Sequence, residues 1–172
     1  MCRNCWNRWP GKGWWSAIRP AEGILVANSG TSPGPRALLL FTEAWFTLLW
    51  IDLGIRLLPF RLWRRWLEPA DAAGEGADGA AVPALVTATE RAARHHLLPM
   101  NCLRRSLGLR RLLRRRGVPE RLHLGVRRGE AGLEAHAWLS SGGRILNDSP
   151  DVTRRYAELR GDPARVLRHF DS

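Results

Sequence analysis

The sequence predicts an α+β fold in which helices come first and a small antiparallel sheet follows. Three observations predict it. Residues 84–98 and 102–116 each carry a helical pattern closed by a breaker, Pro99 after the first and Gly117 after the second. Residues 122–127 and 133–140 alternate apolar and polar side chains, as strands do. Ser141-Gly142-Gly143 then has the composition of a hairpin turn, and residues 144–147 supply a third strand. Helices followed by hairpin-linked strands are the α+β order, and no internal repeat interrupts it.

The segments upstream differ in character. Residues 1–35 are rich in Trp, Gly and Pro, without sustained periodicity, and read as a disordered tail. No continuous apolar core follows the early basic residues, so the tail does not read as a secretory signal. A translation start near Leu25 or Val26 is a further expectation, which the intact mass of the natural protein decides. Residues 36–67 form the most apolar segment, interrupted by Glu43, Asp52 and Arg56 and broken by Pro59. Those charges argue against a full membrane span. One helix, or two broken near 54–59, is expected to pack on the domain or on a partner protein. Interfacial membrane binding helped by Trp63, Trp66 and the arginines of 61–65 is the alternative. Residues 68–83, small, acidic and glycine-rich, read as a linker, and 84–172 as the orderly domain. A last helix is expected over about 152–159, and another after Asp162-Pro163.

The 172 residues suffice for one modest domain with extra sequence, not for two. The net charge of +11 comes from arginine, because Lys12 is the only lysine. Such a charge points only weakly to an acidic or nucleic-acid partner. Three cysteines, Cys2, Cys5 and Cys102, make no disulfide framework and suggest a reducing cytoplasm. Cys2 and Cys5 form a lone CxxC with nothing nearby to complete a zinc site.

The chemistry concentrates in two stretches. In `CLRRSLGLRRLLRRRGV`, Cys102, Ser106, Leu109 and Leu113 share one helical arc, widened by Leu103, Leu107 and Leu112. Arg104, Arg111, Arg114, Arg115 and Arg116 fall mostly outside it and are expected to form a solvated face. Cys102 thus points inward from the first helical turn, where unpaired N–H groups and the helix dipole favour thiolate over thiol. A small buried packing cysteine is the bland alternative. In `LEAHAWLSSGGRILND`, strand alternation puts His136 mid-strand on the face of Glu134, Trp138 and Ser140. The hairpin turn then returns Asp148 towards His136. A carboxylate holding one imidazole nitrogen leaves the other to take a thiol proton, so Cys102, His136 and Asp148 make a plausible acyl-transfer triad.

These two stretches resemble the transglutaminase-like cysteine peptidase of lasso-peptide biosynthesis. The resemblance rests on the Cys-initiated helix of CLxRSLxLxxLLRRxG pattern, the GVR of the next strand and the AHAW strand, and it covers roughly 84–148. It implies a transglutaminase-like, papain-like core of helices packed on a small antiparallel sheet, with the apolar helix as an N-terminal extension. It implies Cys102 as nucleophile, His136 as general base and then acid, and Asp148 as the orienting carboxylate, with no cofactor and no metal. Its implied partners are a leader–core precursor peptide, a separate leader-recognition protein and an ATP-dependent macrolactam synthetase; nucleic acid is not expected. No strand pattern of a leader-recognition domain precedes residue 84, so the resemblance is to the stand-alone form. Ser140 and Gly108 depart from the family pattern, where an acidic residue and alanine are common, and substrate fit is where those departures are expected to act. The rival readings are another acyl transferase or amidase on the same fold, and a non-catalytic arginine-rich nucleic-acid or membrane adaptor.

Other candidates are weaker. His95 and His96 project about 100° apart on a helix and chelate poorly. They are expected to pack at a helix end, near Cys102. His123 has no assigned role, and Trp138 either walls a cleft or fills the core. `GEGADG` lies in the linker and lacks the Lys and Ser or Thr of a phosphate loop.

Overall fold

The computed structural model describes residues 34–68, 79–129 and 132–159. The Trp-rich tail with Cys2 and Cys5, most of the predicted linker and the last predicted helix lie outside the described residues.

Helix α1 spans Pro35–Leu57, opened by a proline whose fixed φ suits a first helical position. It ends where Leu58, held before Pro59, adopts an extended conformation. The chain then turns through α2, Phe60–Trp63, and a short 3-10 turn, Arg64–Trp66. That turn lays the Trp66 indole over Gly54, where an added Cβ would lie 2.2 Å from the ring. The break predicted within 54–59 therefore falls at Leu58-Pro59. By length and composition α1 is also long and apolar enough to cross a membrane, with 33% of its most apolar window buried.

One side of α1, carrying Ala44, Leu48 and Ile51, is fully buried against α3, Val82–Arg94, and α4, Cys102–Arg114. The three helices share one core with Leu85, Ala92, Leu107 and Leu113. The charges that interrupt α1 join it to α4. Asp52, wholly buried, pairs with Arg56 and Arg104, each at 2.8 Å, and Glu43 pairs with Arg116 at 2.7 Å.

The predicted solvated arginine face is therefore corrected. Of Arg104, Arg111, Arg114, Arg115 and Arg116, only Arg115 is exposed. Arg110 is almost completely buried. It donates to Glu120 at 2.7 Å and to the carbonyls of Trp66 and Glu68. A helical wheel assigns sides to one helix, but α1 and the following turn cover the side that solvent would otherwise take.

Helix α4 closes with Gly117 in the left-handed region and Val118 N–H bonded to the Leu113 carbonyl, a glycine cap that reverses the chain into the sheet. The sheet is four-stranded and antiparallel throughout. Strands β1, Arg121–Gly129, and β2, Gly132–Ser141, pair along their length, with Gly125 opposite His136 and His123 opposite Trp138. Gly142 and Gly143, both with positive φ, form the tight turn into β3, Arg144–Ile145.

The helix expected over 152–159 is shorter. It spans only Val152–Arg155 (α5), after which Tyr156 is extended and Ala157–Glu158 form strand β4 on the outer edge of β1. Pairing that edge satisfies backbone groups that a longer helix would leave open. Helix α4 lies on β2, whose Ala137 and Leu139 are buried.

Candidate active site

Cys102 is the first residue of α4. Asn101 caps the helix, its side-chain oxygen accepting from Arg104 N–H at 3.0 Å. The direction of α4 across the sheet follows from its contacts. Beyond its C-terminal end, the Pro119 carbonyl accepts from the Ser141 hydroxyl, at the turn end of β2. Further back along the helix, the Ser106 hydroxyl donates to the Ala137 carbonyl at 3.1 Å. One more turn towards the N-terminus carries Cys102, half-buried, towards the part of β2 that bears His136.

His136 Nε2 is hydrogen-bonded to Asp148 Oδ2. Nδ1 is the ring nitrogen that the carboxylate does not hold, and it is shielded from solvent. The imidazole lies in an aromatic stack, 4.8 Å from the Tyr156 ring and 6.0 Å from Trp138. Asp148 is held from its other oxygen as well. Its Oδ1 accepts from Ser149 N–H at 2.6 Å, from the Ser149 hydroxyl at 3.2 Å and from Arg155 at 2.9 Å. Burial raises the Asp148 pKa, but the bond and charge of His136, the Ser149 N–H and the Arg155 charge outweigh it. The carboxyl therefore titrates below its usual range and stays ionised near neutrality.

A second set of bonds joins the segments that carry these three residues. Asn147 Nδ2 donates to Ser106 Oγ at 2.9 Å, and Asn147 Oδ1 accepts from Leu139 N–H at 2.8 Å. Ser106, one turn after Cys102, thus touches both Ala137, the neighbour of His136, and Asn147, the neighbour of Asp148. Sequence reasoning placed Ser106 on the inward arc but gave neither residue a role. A hydroxyl on an otherwise apolar arc was the available signal, since a buried polar group needs a partner.

Trp138 is fully buried, stacked between His136 and the parallel ring of His123, 5.5 Å away. Of the two readings left open for it, core holds. His123 bridges Glu158 and Ser140, each at 2.7 Å, so Ser140 is engaged within the sheet. Gly108 faces α1, where an added Cβ would lie 2.6 Å from Leu48 Cδ2; helix packing, not substrate fit, explains that departure. His95 and His96 pack against Phe41 and Trp45 of α1. Among the described residues no three His, Cys, Asp or Glu side chains are grouped to hold a metal ion.

A thiol at a helix N-terminus, beside a strand whose imidazole is held by a partly buried carboxylate, suits nucleophilic attack on an acyl carbon. The family model described as Transglutaminase-like superfamily matches residues 46–161, which includes all three of these side chains. No curated protein and no solved structure matches the chain.

Proposed function

This chain belongs to the transglutaminase-like superfamily, which includes cysteine peptidases and acyltransferases, and from that membership we propose a cysteine peptidase that removes the leader from a lasso-peptide precursor. The observation that carries the chemistry is the His136–Asp148 bond beside the helix that Cys102 opens. The lasso-peptide assignment is supported by the Cys-helix, GVR and AHAW patterns at 102–118, 125–127 and 135–138.

In the proposed reaction, His136 Nδ1 takes the proton of the Cys102 thiol, and the sulfur attacks the scissile carbonyl carbon. Collapse of the tetrahedral adduct breaks the C–N bond, and the imidazolium gives its proton to the departing amine of the core peptide. The leader remains as a thioester on Cys102. Water, deprotonated by His136, attacks that thioester, the C–S bond breaks, and the leader departs with a carboxyl terminus. Asp148 holds Nε2–H throughout, which fixes the ring and the tautomer in which Nδ1 is basic. The Cys102 backbone N–H, in the first turn of α4, serves in this reading as one oxyanion donor. The freed core amine is then the substrate of an ATP-dependent macrolactam synthetase, and a separate recognition protein delivers the leader.

The test supplies purified protein with precursor peptide and recognition protein and follows the products by mass spectrometry. Separate leader and core, absent with Cys102→Ala, support the reading. Capture of the leader acyl group by an added amine, with little hydrolysis, assigns the protein to the acyltransferases instead. A precursor that stays intact with the wild-type protein overturns the peptidase reading.

A further inference from the structure

Helix α1 has a second face that no described residue covers. Leu39, Phe46, Trp50, Leu53 and Leu57 are 40–75% exposed, well above what scattered surface apolar residues require. At 100° per residue they fall within an arc of about 60°, on the side opposite Ala44, Leu48 and Ile51. The row runs about 27 Å along the helix, and it contains no charge. At its C-terminal end it meets exposed Leu58 and Leu62 and the exposed arginines Arg56, Arg61, Arg64 and Arg65. Arg56 pairs with Asp52, whereas Arg61, Arg64 and Arg65 have no carboxylate partner among the described residues.

We propose that this face docks the protein on an anionic lipid surface, with α1 lying in the plane of the interface. Two features fix that orientation. The core side of α1 is packed on α3 and α4, and its Asp52 is wholly buried in ion pairs, so α1 cannot cross a bilayer without dismantling the domain. The exposed side has the two components of interfacial binding, an apolar row that enters the acyl boundary and cations that meet lipid phosphates. Trp50, 57% exposed, is the residue type that settles at headgroup level. A second copy of this chain fits less well, because each brings a charge of +11.

Co-sedimentation of the full chain with vesicles tests this, using phosphatidylcholine alone and phosphatidylcholine with added phosphatidylglycerol. The expected result is strong partitioning on the anionic vesicles only, weakened by salt. The variant Trp50→Ser with Leu57→Ser, and the variant Arg61→Glu with Arg64→Glu and Arg65→Glu, each lower it by roughly a hundredfold. All of these positions are exposed, so far-ultraviolet circular dichroism is expected to stay unchanged. Failure of the wild-type chain to partition on anionic vesicles overturns the proposal, and so does partitioning that neither variant alters. A dimer in sedimentation velocity, lost with Trp50→Ser and Leu57→Ser while vesicles are ignored, replaces it with self-association.

Discussion

Ser106 and Asn147, 41 residues apart in sequence, share a partly buried hydrogen bond of 2.9 Å that ties the cysteine helix to the segment preceding Asp148. The same Asn147 side chain accepts from the Leu139 backbone, so one amide registers helix, strand and loop. Replacing it with alanine leaves a strand N–H and a buried hydroxyl short of a partner, at a cost of about 1–3 kcal/mol. Asn147→Ala is expected to unfold at lower denaturant concentration and to lose kcat with little change in KM. A variant with the denaturation midpoint of the wild type refutes the role given to this amide.

Asp148 holds Nε2 of His136 as an acceptor, a task that an amide oxygen also performs. Asp148→Asn is therefore expected to retain much more turnover than Asp148→Ala, whose loss is placed at about 10²–10⁴-fold. Single-turnover rates of the two variants decide it; equal losses would show that the charge matters more than the orientation.

Gly125 lies opposite His136 on β1, and a Cβ there would meet Trp138 ring atoms at 2.8 Å and Tyr156 Cβ at 3.0 Å. Both rings stack on His136, so a displaced indole moves the imidazole. Alanine in a strand ordinarily gains about 0.5–1 kcal/mol over glycine, but overpacking a filled site costs about 1–3 kcal/mol. Gly125→Ala should therefore lower both the melting temperature and turnover. An unchanged near-ultraviolet spectrum with full activity would contradict it.

Arg110 and Glu120 form an ion pair whose side chains are 3% and 0% exposed, while Arg115 sits 53% exposed at 3.5 Å from Glu43. Removing one partner of a buried pair strands the other charge and costs about 3–5 kcal/mol. An exposed pair contributes about 0–1 kcal/mol. Arg114 also reaches Glu120, so Arg110→Ala is expected near the lower end of the buried range. Urea denaturation of Arg110→Ala and Arg115→Ala measures the contrast, and similar midpoints would count against it.

Burial holds the His96 imidazole below its ordinary pKa of 6.5, against the opposing pull of Asp52. Its Nδ1 accepts from Leu98 N–H at 3.3 Å, and the ring stacks on Trp45. The unfolded chain therefore binds more protons at this position than the folded one below about pH 6.5, and stability falls as pH drops from there towards the folded pKa. Above that window the contribution is level. Melting curves across the window should fall less steeply for His96→Gln than for the wild type, and parallel curves would refute the assignment.

The Cys102 helix, the hairpin strands and the side of β2 that carries His136 were legible in the sequence because each follows from a local period. Cys102, Ser106, Leu109 and Leu113 mark their shared arc through helical spacing, and alternation alone puts His136 and Trp138 on one face. The Ser141-Gly142-Gly143 turn brought Asp148 within reach of the histidine. The fate of the arginines was not legible, because whether Arg110 meets water or Glu120 depends on α1 and on a turn 42–44 residues away. Nor was β4, whose two residues become a strand by completing the edge of β1.

By itself, then, the sequence determined the α+β order, the helix-borne thiol and the side-chain types needed for acyl chemistry, since these depend on local spacing and residue chemistry. Tertiary structure alone decided that Asp52, Arg104, Arg110 and Glu120 are interior charges, that Ser106 and Asn147 register the segments of the candidate site, and that no described residue covers one face of α1. Burial is a property of what packs against a residue, and Asp52, Ser106 and Arg110 meet partners far along the chain, in Arg104, Ala137 and Glu68.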